Sequence, residues 1–186
     1  MAQKLSKPLQ DRNKELNQLT VESISEALLQ LMQTKEYDKI SVTDLCRKAG
    51  VSRNAFYQNF GTLDNVFKRI VLGFNRDVIL RKLGNPFNQR TNLEWYVKFF
   101  HTVTEYSRLF ELIISCNLQH LYLGYVNDLL TDPKQDSVTR YRRLLWNGAI
   151  QNIIIDWIER GMPETPEEMA EICYEKLFLF KTSPNE

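Results

Sequence analysis

The sequence has few of the residues that break a chain into turns. Of its 186 residues only 7 are glycine and 6 proline, too few turn formers for an all-β sandwich. Cysteine is equally sparse. Cys46, Cys116 and Cys173 are odd in number, far apart and without a Cys-x-x-Cys pair. That excludes a disulfide framework and a zinc site, and fits small apolar side chains in a reducing compartment. Long apolar runs are missing too. Ala149 to Ile158, the most apolar stretch of the second half, is interrupted by Gln151, Asn152 and Asp156 and falls well short of the ~20 residues a membrane span requires. Met1 to Lys14 is polar and has no signal-peptide core. A cytoplasmic, soluble, helical protein with no membrane partner is expected.

What is present is ordinary globular material, 43% hydrophobic and 25% charged, which excludes a disordered or collagen-like chain. The net charge of +1 hides an asymmetry. Residues 1–90 carry 15 Lys+Arg against 9 Asp+Glu, and residues 91–186 carry 9 against 14. A basic front and an acidic back suggest that the front meets a polyanion.

Apolar periodicity divides the chain. Leu16, Val21, Ile24, Leu28, Leu31 and Met32 recur at steps of three and four between about Asp11 and Thr34, as on an amphipathic helix. A second such run (Val66, Phe67, Ile70, Val71, Phe74, Val78) stops at Gly84-Asn85-Pro86. Helices are expected over Leu93 to Tyr106 and Ser107 to about Gln119, with turns near Gly124 and at Thr131-Asp132-Pro133. A long helix follows from about Ser137 to Arg160, and a last one opens at Thr165-Pro166-Glu167-Glu168. The expected organisation is a polar tail over 1–14, a helix-turn-helix domain over 15–61, a connecting helix over 62–84 and a helical domain over 92–182.

Residues 41–60 read SVTDLCRKAGVSRNAFYQNF. Ser41 with Asp44 three residues on forms a capping box that opens a short helix. Val42, Leu45, Cys46 and Ala49 share one face of it, and Gly50 supplies the backbone freedom of a helix exit. Ser52 caps a second helix anchored by Phe56 and Phe60. Helix, glycine turn, helix within about twenty residues is a helix-turn-helix. Around the second helix's anchors lie Arg53, Asn54, Tyr57, Gln58 and Asn59, with Ala55 small enough for close approach. Arginine pairs with guanine O6/N7, and asparagine or glutamine with adenine N6/N7. A tyrosine hydroxyl and the N–H groups of a helix start, here at Ser41 and Ser52, bind phosphate. Arg47 and Lys48 add positive charge near a duplex backbone.

The spacing Ser41-Val42, Leu45-Cys46, Ala49-Gly50-Val51-Ser52 and Tyr57-Gln58-Asn59-Phe60 resembles the DNA-binding domain of the tetracycline-repressor (TetR/AcrR) family of bacterial transcription regulators, over about Ile24 to Val66. The resemblance implies an all-α fold: a three-helix DNA-binding domain, a connecting helix and a helical ligand-binding and dimerisation domain. It implies that Thr43 meets DNA, that Arg53, Asn54 and Ala55 read base edges, and that Tyr57 and Asn59 contact phosphate or groove. One departure stands out: many members place a lysine where this chain has Leu63. Lys68 or the basic tail (Lys4, Lys7, Arg12, Lys14) are the nearest substitutes.

The family mechanism implies a homodimer on a palindromic operator, acting as a repressor and released by a small-molecule effector. It needs no cofactor or metal. The expected effector site is the cluster of Phe99, Phe100, Tyr106 and Phe110 with Asn117, His120 and Asn147, near Trp95 and Tyr96. Ile150, Ile154, Trp157, Ile158 and Leu177 are expected at the dimer interface. A helical-bundle enzyme is the rival class, but the sequence has no phosphate loop, nucleotide fingerprint, nucleophile elbow or His-Glu-x-x-His pair, and His101 with Glu105 finds no third metal ligand. A relative that acts through protein partners without binding DNA is the other alternative, motivated by Leu63.

Overall fold

The computed structural model describes residues 7–87 and 93–176, with side chains described from Asp11 and up to Glu175. The described residues are helical and contain no strand. They fall into two compact units that part between Ile70 and Val71.

The first unit starts with α1 (Lys7–Met32), which begins ahead of the expected Asp11. Pro8 fits its first turn, where a missing N–H costs nothing, and Gln10 to Asn17 contains no breaker. Residues 7–14 are therefore helix and not tail. A 3₁₀ turn (Tyr37–Lys39) leads to α2 (Val42–Ala49) and α3 (Arg53–Asn59). Ile24, Leu28, Leu45, Phe56, Val66 and Phe67 are sealed from solvent in its core. The Tyr37 ring meets Phe67 edge-on, and its hydroxyl donates to Asp64 at 2.9 Å.

α4 (Leu63–Gly73) begins in this unit and continues into the second as a π-helical stretch, Phe74–Leu83. Thr62 caps its start by accepting from the Asn65 N–H. Gly84 ends the helix at φ 91, a backbone angle that suits glycine.

The second unit adds α5 (Leu93–Glu105), α6 (Ser107–Ser115), α7 (Gln119–Leu130), α8 (Ser137–Glu159) and α9 (Pro166–Glu171), the last extended π-helically through Lys176. α5 packs on α9, and α8 packs on both α6 and α7. Gly124 does not make the expected turn; it lies inside α7. The break falls at Asn117, φ 55, because asparagine is among the few non-glycine residues that enter the left-handed region cheaply. Thr165 and Glu168 form the capping box of α9, and Trp157 donates to the Glu164 carbonyl at 3.1 Å, fixing the preceding turn. Among the described residues no helix is long and apolar enough to cross a membrane.

Candidate nucleic-acid interface

The corner between α2 and α3 is built by local chemistry. Ser41 Oγ accepts from the Asp44 N–H at 3.1 Å while Asp44 accepts from the Ser41 N–H, so two orphan donors at the helix start are satisfied reciprocally. Gly50 turns the chain at φ 68, and the Val51 N–H returns to the Cys46 carbonyl. Ser52 then caps α3 through the Ala55 N–H. One anchor, Phe56, is fully buried and packs edge-on with Tyr57; Phe60 is half-buried. With the inner side fixed, most of the other side chains of α3 face outward.

Ser52, Arg53, Asn54, Tyr57 and Gln58 are exposed, and Ala55 is half-buried. Tyr57 is a large ring left 58% accessible. Arg53 stays exposed while donating to Thr43 Oγ1 at 2.8 Å, a contact that aims the guanidinium and joins the two helices. Thr43 and Lys48 are exposed as well. Asn59 is different: its Nδ2 donates to the Ala55 carbonyl at 2.8 Å and its Oδ1 accepts from Asn17 at 2.9 Å. Both ends of that amide are engaged within the chain, so Asn59 tethers α3 to α1.

Asp44 is the electrostatic hub of the corner. It pairs with Lys35 at 2.6 Å and with Arg47 at 2.7 Å. The Lys35 ammonium and the Ser41 hydroxyl and N–H hold its carboxyl down at about 2. Arg47 is thus partly neutralised, whereas Lys48 and Arg53 form no ion pair among the described residues. Leu63 is half-buried at the start of α4. Of its possible substitutes, Lys4 lies outside the described residues.

The expected effector cluster divides in the structure. Phe99, Phe110 and Asn147 line a cavity of about 30 Å³ in the second unit. Phe100 instead meets the Trp157 ring edge-on, and Tyr106 packs on Phe74. Asn117 and His120 are exposed, at the turn before α7 and in its first turn, so neither reaches the cavity. Trp95 stacks on Phe99, and Tyr96 accepts from the Trp146 indole at 3.1 Å. The polar residues missed are Asn75, Tyr122 and Gln151, which also line the space. Asn75 left a trace in the sequence, a polar side chain beside Val71, Phe74 and Val78 on an apolar helix face.

The interface expectation needs correction. Ile150, Ile154, Trp157 and Ile158 are each less than a tenth exposed within their own chain and so cannot meet a second copy; Leu177 lies outside the described residues. The outward face of α8 carries Val138, Tyr141 and Leu145, all about two-thirds exposed. Gly148 and Asn152 continue the same three-four spacing.

Comparison with known proteins places this geometry. Residues 24–70 match the family model described as bacterial regulatory proteins, tetR family, and residues 91–177 match that of a transcriptional regulator C-terminal region. No curated protein matches the sequence. Among solved structures, the chain is similar to NalD, the secondary repressor of the MexAB-OprM multidrug efflux pump in Pseudomonas aeruginosa, with 15% identity over 90% of this chain and 97% of that one and a TM-score of 0.59. The fatty acid degradation regulator FadR from Bacillus halodurans gives 17%, 86%, 94% and 0.52. The dihydroxyacetone kinase operon activator DhaS gives 20%, 88%, 98% and 0.51. These likenesses carry the fold; together, the two family matches and the helix-turn-helix they cover show that the chain belongs to the TetR family of DNA-binding transcriptional regulators.

Proposed function

We propose that the protein is a homodimeric repressor that binds a palindromic operator through α3 and leaves it when a small molecule occupies the second unit. One observation carries this reading: Arg53, Asn54, Tyr57 and Gln58 stand exposed on a helix whose other side is locked by the buried Phe56. In a major groove Arg53 pairs with guanine, and Asn54 or Gln58 with adenine. Ser52, Ser41, Thr43, Tyr57, Arg47 and Lys48 serve the phosphates, and Ala55 allows close approach. A single helix of this length makes few contacts, so specificity requires two copies with recognition helices about 34–36 Å apart.

The second copy is best accommodated on the outer face of α8. Val138, Tyr141 and Leu145 form an exposed apolar row, and the three-four spacing suits helix-against-helix packing. The effector reading rests on the cavity bounded by α4's π-helical stretch and α5 to α8. The domains assigned to these roles are 15–61 for DNA, 62–84 for the connection and 92–182 for effector and partner.

The test is selection of bound fragments from random duplex DNA by the purified protein. A palindrome with half-sites one helical turn apart is expected, with affinity falling steeply as salt rises. Failure to enrich any sequence would overturn the reading. It would favour the alternative that Leu63 motivates, a family member that acts through protein partners.

A further inference from the structure

The cavity of the second unit is defined by its polar groups. Asn75, Tyr122, Asn147 and Gln151 all line it, and no acidic, basic or histidine side chain is among the described residues around it. The four are joined. Asn75 Nδ2 donates to the Val71 carbonyl at 2.9 Å and to the Tyr122 hydroxyl at 3.2 Å. Gln151 lies beside that hydroxyl and lines the same cavity. Gln151 Nε2 donates to Asn147 Oδ1 at 3.3 Å, and Asn147 Nδ2 donates to Asn127 Oδ1 at 2.8 Å. A row of neutral amides and one phenol thus runs from α4 through α7 to α8, beside aromatic walls such as Phe99 and Phe110. Burial pushes the Tyr122 phenol up to about 12, so it stays neutral throughout the physiological range.

We infer that the effector is an uncharged, largely apolar small molecule with a single hydrogen-bonding carbonyl or hydroxyl group, read by the Tyr122 hydroxyl with Gln151 and competing there with Asn75. An ionised ligand would lose its hydration without gaining a counter-charge, and a pure hydrocarbon gains no hydrogen bond from the polar row. At about 30 Å³ the cavity as it stands holds a water or two, so the effector enlarges it. The wall that yields is the π-helical stretch, a rare geometry that recurs at functional sites. Asn75 fastens that stretch at two points, to its own Val71 carbonyl and to Tyr122. An effector that takes over Tyr122 removes the second fastening. This inference rests on the effector-released reading above and specifies its ligand.

The experiment is calorimetric titration of the full chain with probes of matched size: benzylacetone and its alcohol, butylbenzene, hydrocinnamate and phenylbutylammonium. The ketone and alcohol bind and the two ions do not. Tyr122→Phe weakens benzylacetone by roughly five- to tenfold, the worth of one hydrogen bond, and leaves butylbenzene unchanged. Gln151→Leu repeats the comparison should Tyr122→Phe fail to fold. Equal binding of an ion, indifference of benzylacetone to both substitutions, or no binding by any probe would overturn the inference. The same probes are then added to the complex with a selected duplex. If the neutral probes bind and the duplex stays bound, release by effector is wrong and the ligand class stands. If only the ions release the duplex, release stands and the ligand class is wrong.

Discussion

The two compact units put their polar chemistry in opposite places. In the first, amides and an arginine ring the outside of α3 over an apolar interior. In the second, the buried polar residues Asn75, Thr102 and Asn147 lie inside the helices, and the outside of α8 bears an apolar row. A surface that must meet a hydrated polyanion gains from exposed donors. A cavity that selects a small molecule gains from donors withheld from water. The same residue type, asparagine, stands in both settings: Asn54 is exposed while Asn147 is 1% exposed and bonded to Asn127.

The contrast breaks most severely at the anchors. Phe56→Ala removes the one fully buried side chain of α3 and is expected to cost about 3–5 kcal/mol. Denaturant unfolding followed by circular dichroism should then show the first unit melting ahead of the second. A charge at Ile154 likewise destabilises the fold, because it is buried beside the cavity. Tyr141→Glu, on the opposite face of α8, should keep the helical content and convert a dimer to a monomer in size-exclusion chromatography. A dimer that survives it moves the interface off α8.

Smaller changes sharpen the comparison. Ser52→Ala deletes the α3 cap and should cost about 1 kcal/mol of stability, seen as a lower denaturation midpoint. Asp44 gives a pH signature. Because its folded value, about 2, lies below the ordinary 3.8, its contribution is complete above that ordinary value and is lost as pH falls toward 2. Asp44→Asn should therefore flatten the acid limb of the stability profile in that window, while leaving the profile near neutrality parallel to the parent.

The first unit was legible in the sequence because its determinants are local. Ser41 with Asp44, Gly50, and Ser52 lie within twelve residues, and each fixes a cap or a turn without help from afar. Asn59 was the exception: its amide is engaged by Asn17, 42 residues away, and no spacing announces such a bond. The second unit was legible as helices but not as faces. α8 carries apolar residues on both sides, Val138, Tyr141 and Leu145 outward and Ile150, Ile154 and Trp157 inward, so periodicity could not choose the buried one. Asn117 and His120 looked like polar members of a site because they adjoin apolar runs, yet the left-handed turn at Asn117 leaves both in solvent. Tyr122 and Gln151 meet only when α7 and α8 pack.

The claim on which the rest depends is that α3 reads base edges. It is tested most directly by titrating Arg53→Ala against a selected duplex and a scrambled duplex at one salt concentration. A loss of about 1–3 kcal/mol on the selected duplex is expected, with relaxed preference at one position per half-site and little change on the scrambled one. An equal loss on both duplexes would assign Arg53 to phosphate, and no loss on either would contradict the claim.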